Sequence, residues 1–188
     1  MFSKEFLQSI IGTILRLDCA DIEKAVDILF KLRSYGGRLF IIGSGGGAGN
    51  ASHAVCDFRK LCRIEAYTFE NTSELTARIN DEGWETSYLE WLKASNFNQK
   101  DCLMILSVGG GADGVSHNLV KSLYFAQSMD AKIIGIVGRN GGITKTVANA
   151  CILIETKEHI TPIVEGLQSV ILHLLVSDPK LQINKTVW

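Results

Sequence analysis

Two histidines and two carboxylates are the side chains of this sequence best suited to chemistry. His53 and Asp57 stand four residues apart on a predicted helix, so they lie roughly 40° apart around its axis and share a face. Glu165 and His173 stand eight residues apart on the last predicted helix, which places them roughly 80° apart around its axis. Two imidazoles and two carboxylates are a plausible ligand set for Zn²⁺ or a similar divalent ion. The alternative is that these four groups only pack, cap or form ion pairs with neighbouring residues.

Two glycine-rich loops offer a place for an anion. The first, Gly43-Ser44-Gly45-Gly46-Gly47-Ala48-Gly49, follows a predicted strand and leads into a helix expected to begin near Asn50. The second runs from Ser107 to Gly114 and also follows a predicted strand. Glycine lets the backbone approach a ligand closely, and the amides of a helix N-terminus attract phosphate. Because ligands of an open parallel sheet bind outside the carboxyl ends of its strands, the two loops together can hold one small anionic ligand. The expected substrate-binding residues are Ser44, Gly45, Gly46, Gly47, Ser107, Gly109, Gly110 and Gly111.

Three further segments give weaker signals. Asn80 and Asp81 are expected on the loop after the second strand, where they can hydrogen-bond a polar ligand, although their N-x-x-G turn also forms without a ligand. Glu74 and Arg78 are four residues apart, and this spacing favours a salt bridge on a helix over a binding site. The glycine cluster at 138–142 is expected to shape a turn.

The first glycine loop can also be read as a dinucleotide fingerprint, G-x-G-x-x-A, at Gly43, Gly45 and Ala48. A nicotinamide cofactor then requires an acidic residue after the second strand, and Glu70 is a rather distant candidate. The repetition of the glycine loop at a second strand end argues against this oxidoreductase interpretation. We therefore expect no nucleotide cofactor.

The elements that must position these residues alternate along the chain. Short apolar runs predict strands at 38–42, 66–69, 102–106, 132–137 and 151–154, and helical patterns occupy 51–62, 84–95, 116–129 and 163–176. Strands that are apolar throughout are typical of a parallel sheet covered by helices on both faces, which predicts a doubly wound α/β fold. Two helices, at 2–17 and 21–32, precede the sheet, and the first is apolar enough to pack against another subunit. No linker or domain boundary is visible, so the chain is expected to form one domain over 1–188, with N-terminal helices over about 1–36 that pack in the oligomer.

Composition narrows the range of partners and compartments. The 19 Lys and Arg are scattered among 20 Asp and Glu, so nothing resembles the basic stripe of a nucleic-acid binder. The N-terminus lacks the pattern of a signal peptide, and no uninterrupted apolar run reaches the roughly 20 residues of a membrane span. We expect a soluble cytoplasmic protein without a membrane or nucleic-acid partner. The five cysteines are widely spaced and lack a C-x-x-C pair, so they are expected to be reduced and buried.

The order of the motifs resembles the phosphoheptose isomerase branch of the sugar isomerase (SIS) family. The motifs are Gly43 to Gly47, Asn50-Ala51-Ser52-His53, Asn80-Asp81-Glu82-Gly83, the loop from Ser107 to Asp113, and Val137-Gly138-Arg139-Asn140-Gly141-Gly142. The similarity covers nearly the whole chain and is more specific than any one glycine motif. It implies a flavodoxin-like core of five parallel strands and a homotetramer with active sites at subunit interfaces. It also implies conversion of sedoheptulose 7-phosphate to D-glycero-D-manno-heptose 7-phosphate, a step of heptose biosynthesis for surface polysaccharide.

The same resemblance implies roles for individual residues. The family's catalytic glutamate falls on Asp57 and its catalytic histidine on His173. The zinc ligands of some members fall on His53, Asp57, Glu165 and His173, with Asp in place of Glu and Glu in place of Gln. The resemblance thus implies the same four residues as the spacing argument.

This chain departs from the family in the phosphate pocket, where the family is rich in Ser and Thr. Gly47, Val108, Gly109 and Ala112 occupy most of those positions, and Ser107 remains. Two explanations stay open: backbone amides hold the phosphate with help from Arg59 or Lys60, or the anionic group of the ligand sits differently.

Aldose-ketose isomerisation through an enediol needs a base that moves a proton between C1 and C2 and an acid or metal that stabilises the oxygen. We expect Asp57 or Glu165 to be the base, His173 to be the acid, and a metal to polarise the carbonyl. The loss of pocket hydroxyls keeps one alternative open, in which a non-catalytic SIS module binds a sugar phosphate or a partner protein as a regulator.

Overall fold

Five parallel strands form the centre of the molecule, of which the computed structural model describes residues 1–112 and 114–185. They are β1 (Arg38–Gly43), β2 (Glu65–Tyr67), β3 (Cys102–Ser107), β4 (Lys132–Gly138) and β5 (Ala150–Ile154). Their order across the sheet is β2-β1-β3-β4-β5, and every pairing is parallel. This is the flavodoxin-like doubly wound order, so the predicted fold class is confirmed. Its switch point lies between β1 and β3, the two strands that carry the glycine loops.

Helices cover both faces of the sheet. They are α1 (Phe2–Ile14), α2 (Cys19–Ser34), α3 (Gly46–Cys62), α4 (Thr72–Glu82), α5 (Ser87–Ala94), α6 (His117–Ser128), α7 (Gly142–Val147) and α8 (Ile160–Ser177). Alternate side chains of β1 pack against the helices on opposite faces of the sheet. Leu39 and Ile41 pack with α2, α3 and α8, whereas Phe40 and Ile42 pack with α5 and α6. Both faces of the strand are buried, which explains why its sequence is apolar throughout.

Helix α4 was not among the predicted helical patterns, although a helical turn was expected at Glu74 and Arg78, and it changes the setting of Asn80 and Asp81. Both residues lie in the last turn of α4, so their prediction as loop residues is wrong. The side chain of Asn71 caps the start of this helix by accepting hydrogen bonds from the amides of Ser73 and Glu74 at 3.0 and 3.2 Å. Gly83, with φ +87°, ends it.

The predicted pair of Glu74 and Arg78 is confirmed within α4. The guanidinium of Arg78 lies 2.7 Å from Glu74 Oε1 and 3.2 Å from Glu82 Oε2. Each carboxylate is one helical turn from the arginine, so the trio stabilises the helix locally. Nothing in this arrangement requires a ligand.

Helix α8 is the last long helix and combines a core face with an open face. Within the described part of the chain it is the one helix that is long and apolar enough to cross a membrane, with a mean hydropathy of 1.5, but 44% of it is buried inside the molecule. Core helices of soluble proteins meet the same criterion. Its buried residues, including Ile163, Leu167 and Ile171, pack in the layer that also contains α3.

The cysteines are all free thiols, but they are not all buried. Cys62 and Cys102 are buried and Cys151 is partly buried, whereas Cys19 and Cys56 are exposed on α2 and α3. The expectation of buried thiols is therefore wrong for two of the five. Burial raises the pKa of the Cys62 thiol to about 12, so this group stays protonated and unreactive at neutral pH.

Candidate active site

The imidazoles of His53 and His173 and the carboxylate of Asp57 converge where α3 lies against α8. His53 Nε2 is 3.1 Å from His173 Nε2, and Asp57 Oδ2 is 3.3 Å from His53 Nε2 and 3.6 Å from His173 Nε2. The side chain of Asp57 is 13% exposed, against 60% for His53 and 45% for His173. The carboxylate therefore forms the floor of the cluster, and the two imidazoles face solvent. Three of the four residues expected to act together are thus in contact.

The spacing of this cluster fits a metal ion. Two ligands that each lie 2.0–2.1 Å from a tetrahedral ion are roughly 3.3 Å from each other. The three donor atoms of His53, Asp57 and His173 have separations of 3.1 to 3.6 Å, and they form a group that can hold a metal. Each residue offers one nitrogen or oxygen, a donor set typical of zinc and similar ions.

Glu165 is not part of this group in the described residues. Its carboxylate lies against the first turn of α3, where a Cβ added at Gly46 would collide with Oε2. Gly46 therefore leaves room for the carboxylate. A helix N-terminus attracts negative charge, so Glu165 occupies a favourable position next to the amides of this turn.

Parallel packing of α3 and α8 brings these residues together. Gly46 meets Glu165, Asn50 meets Gln168, and His53 meets His173, so contacts advance along both helices in the same direction. The amide of Asn50 donates to the carbonyl of Glu165 at 2.9 Å. The fully buried Gln168 donates to the carbonyl of Ile136 on β4 at 2.9 Å and thereby ties α8 to the sheet. Sequence reasoning assigned no role to either amide. For Gln168, the signal that could have revealed it was a polar residue on an otherwise apolar helix.

A cavity of about 670 Å³ opens beyond the ends of β1 and β3. Its walls include the predicted residues Ser44, Ser107, Gly109 and Gly111. They also include Val108 and Ala112, which the resemblance had placed at positions of the phosphate pocket. Five further lining residues had not been assigned to the site: Val115, Ser116, Arg139, Asn140 and Thr161. The hydroxyls of Ser116 and Thr161 come from the segments just before α6 and at the start of α8, so this cavity has more hydroxyls than the motifs indicated.

The loop after β3 is held by the glycine cluster that follows β4. The amides of Ile143 and Thr144 donate to the carbonyls of Gly111 and Gly110 at 2.8 and 2.9 Å, and the Thr144 hydroxyl also donates to Gly110 at 2.7 Å. A Cβ at Gly142 would collide with backbone oxygens of that loop. The cluster at 138–142 therefore shapes a turn, as predicted, and it also fixes the neighbouring loop of the cavity.

Replacing Gly142 by Ala should destabilise the protein by about 2–4 kcal/mol, because the residue has φ +51° and its Cβ would press on the loop after β3. Gly166→Ala is the matched control, since Gly166 lies on α8 with open space where its Cβ would be. That change should be neutral or stabilise by about 0.5–1 kcal/mol. Urea unfolding of both variants measures the difference, and equal stabilities would contradict the packing role of Gly142.

Several residues predicted for the site do not line the cavity. Gly45 precedes α3 with φ +58°, and Gly46 and Gly47 belong to the first turn of α3, which begins four residues before the expected Asn50. Asn80 and Asp81 are exposed on α4 and do not line the cavity. Arg59 and Lys60 lie in the last turn of α3, roughly 20 Å along the helix from Gly46, so within one chain they do not reach the cavity. Asp113, in the motif after β3, lies outside the described residues.

Comparison with known proteins agrees with this geometry. The model of the SIS domain family matches residues 4–138. The phosphoheptose isomerase of Helicobacter hepaticus is 31% identical over 160 residues, which cover 82% of this chain and 78% of that protein. The phosphoheptose isomerase of Syntrophotalea carbinolica is 28% identical over 89% of this chain and 85% of its own length. The solved structure of the Neisseria gonorrhoeae phosphoheptose isomerase superposes with a TM-score of 0.80 at 20% identity, covering 93% of this chain and 95% of that one.

Proposed function

This chain belongs to the phosphoheptose isomerase branch of the SIS domain family, and from that premise we propose that it converts sedoheptulose 7-phosphate to D-glycero-D-manno-heptose 7-phosphate. One observation carries the proposal: His53, Asp57 and His173 form a cluster between α3 and α8, and α8 also contributes Thr161 to the wall of the cavity. A non-catalytic regulator needs a ligand cavity but no acid and base beside it. We place the enzyme in the cytoplasm, in line with the expectation from its sequence.

The distance between cluster and cavity suits an elongated sugar phosphate. Ser44 lines the cavity two residues before α3 begins at Gly46, and His53 lies seven residues after Gly46, roughly 10 Å along the helix axis. A substrate that bridges the two places must carry its phosphate at the end opposite to its carbonyl. A heptose 7-phosphate meets this requirement, because the reacting C1 and C2 are at one end and the phosphate is at the other.

Proton transfer between C1 and C2 requires a base and an acid that reach neighbouring atoms. We assign the acid to His173 and the base to Asp57, because their donor and acceptor atoms lie 3.6 Å apart on facing helices. Glu165 is the second carboxylate and the alternative base. In our assignment its place at the first turn of α3 makes it a group that orients the substrate between cluster and cavity.

The residues present fit a divalent metal, and Zn²⁺ is the ion we propose for them. His53, Asp57 and His173 would hold it, with Glu165 as the fourth candidate ligand implied by the family. A bound Zn²⁺ supplies a Lewis acid that polarises a substrate carbonyl. His173 Nε2 and Asp57 Oδ2 are both the proposed acid-base atoms and the proposed ligand atoms, so a bound ion would take the place of that acid-base pair. With only the three cluster residues as ligands, Glu165 would be the carboxylate that remains free to accept a proton.

The direct test of this function is an assay of the purified protein with sedoheptulose 7-phosphate. The expected result is formation of a heptose 7-phosphate. When the reaction is run in D₂O, deuterium should enter at C1 or C2, because the enediol exchanges its proton with the solvent. Fructose 6-phosphate is a suitable comparison substrate. No turnover of sedoheptulose 7-phosphate, with or without added Zn²⁺, would contradict the proposal.

We further propose that the enzyme is a homotetramer with active sites at subunit interfaces. Leu7, Ile11 and Leu15 form an apolar face of α1 and its C-terminal end and are 58%, 58% and 80% exposed. On α8, Val170 and Leu174 are 54% and 44% exposed and flank His173. A partner subunit that covers this face would therefore lie next to the catalytic cluster.

Introducing charge on α1 should break the assembly. Leu7→Glu with Ile11→Glu is expected to shift the protein from four times the chain mass to dimers or monomers, because both side chains would otherwise be buried between subunits. Ile183→Glu is the control, since it introduces a glutamate at an apolar residue that is 46% exposed outside α1 and α8. Size-exclusion chromatography with light scattering measures the masses. A double variant that remains a tetramer would contradict the role of α1.

A further inference from the structure

The cavity beyond β1 and β3 holds one charged side chain among its described lining residues, the guanidinium of Arg139. The other polar side chains of its wall are neutral: the hydroxyls of Ser44, Ser107, Ser116 and Thr161 and the amide of Asn140. Ser107 already accepts a hydrogen bond from the amide of Gly110 at 3.0 Å. A phosphate dianion in this cavity therefore meets a single cation. We propose that Arg139 binds the substrate phosphate and sets the preference of this enzyme for phosphorylated sugars, an inference that rests on the proposed function.

The backbone at Arg139 is held in a conformation that few arginines adopt. Its φ is +52°, in the left-handed region that is unfavourable for residues with a Cβ. The amide of Gly141 donates to the carbonyl of Gly138 at 3.0 Å, and the amide of Gly142 donates to Asn140 Oδ1 at 3.2 Å. These bonds close the turn around Arg139. Glycine would fit this position with less strain, so Arg139→Gly removes the side chain without straining the turn.

The neighbouring charges favour an anion at Arg139. The residue also lines a second cavity of about 970 Å³. The other charged residues of that cavity are three cations, Arg16, Lys145 and Lys157, and two anions, Glu155 and Glu158. Arg16 is engaged with the carbonyl of Glu155 at 2.8 Å. Arg139 is thus the one cation of this basic region that also faces the hydroxyl-lined cavity. Its planar fork of donors suits bidentate contact with phosphate oxygens better than an ammonium group does.

Three substitutions at this position separate charge, geometry and backbone. Arg139→Gln removes the charge, Arg139→Lys keeps it as a point charge, and Arg139→Gly removes it while relieving the left-handed backbone. Arg139→Gln and Arg139→Gly should raise KM for sedoheptulose 7-phosphate by about 10- to 100-fold, as expected for loss of a charge-assisted hydrogen bond, with kcat changed less. Arg139→Lys should recover part of the affinity. Lys157→Gln is the control, because it removes a charge from the second cavity alone.

Binding of inorganic phosphate and of sedoheptulose 7-phosphate, measured by calorimetry, tests Arg139 independently of turnover. Weaker binding of both ligands in Arg139→Gln and Arg139→Gly, with wild-type binding in Lys157→Gln, supports the proposal even if the chain catalyses a different isomerisation. Unchanged binding in Arg139→Gln, or a wild-type protein that binds neither ligand, would overturn it. A loss shared equally by Lys157→Gln would also overturn it, since the effect would then belong to the basic region as a whole.

Discussion

Replacing Asp57 by Asn is expected to lower kcat for isomerisation by about 10²- to 10⁴-fold, the range that a positioned general acid or base contributes. His173→Gln should cause a loss of similar size. Asparagine keeps the shape of the aspartate but cannot accept the substrate proton as a carboxylate does. Because the two side chains lie 3.6 Å apart and are proposed to act as one pair, the double variant should be little worse than the poorer single variant.

Matched controls distinguish this loss from damage to the fold. Asp27→Asn removes a carboxylate that pairs with Lys180 on the surface and is 54% exposed, so its kcat should equal that of the wild type. Steady-state kinetics and thermal unfolding should be measured on every variant. Normal unfolding with lost activity is expected for Asp57→Asn and His173→Gln.

Glu165→Gln decides between the two carboxylates. If Asp57 is the base, Glu165→Gln should mainly raise KM, since the proposed role of Glu165 is to orient the substrate. A variant that loses kcat while Asp57→Asn retains it would move the base to Glu165. Full activity in both the Asp57 and His173 variants would contradict the assignment of the acid-base pair and show that other groups of the site move the proton.

Periodicity of the sequence was enough to predict the sheet and the main helices. The apolar runs at 38–42, 102–106 and 132–137 correspond to β1, β3 and β4 to within a residue, because a buried parallel strand must be apolar on both faces. Helix α4 was missed for a local reason. Its Asn-Asp-Glu-Gly end matches a turn signature, and the same residues also form the last turn of a helix closed by glycine.

Two kinds of site residue could be predicted: those that share a helix face, and loop residues such as Ser44 and Ser107 that follow strands of one parallel sheet. His53 and Asp57 lie on one helix, so their spacing indicates a common face, and the facing His173 followed from a similar argument on α8. Arg139, Ser116 and Thr161 line the cavity because three separate segments of the chain, two loops and the start of α8, meet at the sheet edge. No spacing along the sequence encodes that meeting. Arg59 and Lys60 were considered for the phosphate because they are close in sequence to the glycine loop, but a helix of 17 residues carries them to its far end.

Binding of Zn²⁺ should depend on His53, Asp57 and His173 and should be detectable without any assay of activity. The expected result is one ion per chain and a higher unfolding temperature, since a ligand present at 100 times its Kd stabilises the folded state by about 2.7 kcal/mol. His53→Gln removes one of three donors that lie within 3.1 to 3.6 Å of each other. It should weaken the affinity by at least about tenfold, because even changes outside the ligand shell cost about 10- to 100-fold. Calorimetry on chelator-treated protein measures both quantities.

His117→Gln provides the matched control for this metal site. His117 is a half-exposed imidazole that lies 3.9 Å from the carboxylate of Glu85, and among the described residues it does not belong to the clustered donors. Its variant should bind Zn²⁺ as the wild type does.

Affinity for Zn²⁺ should fall as the pH is lowered, because a metal-bound imidazole must be neutral and protons compete with the ion. Equal binding by the wild type and His53→Gln would show that the cluster is an acid-base site alone, and Glu165→Gln tests the fourth ligand in the same way.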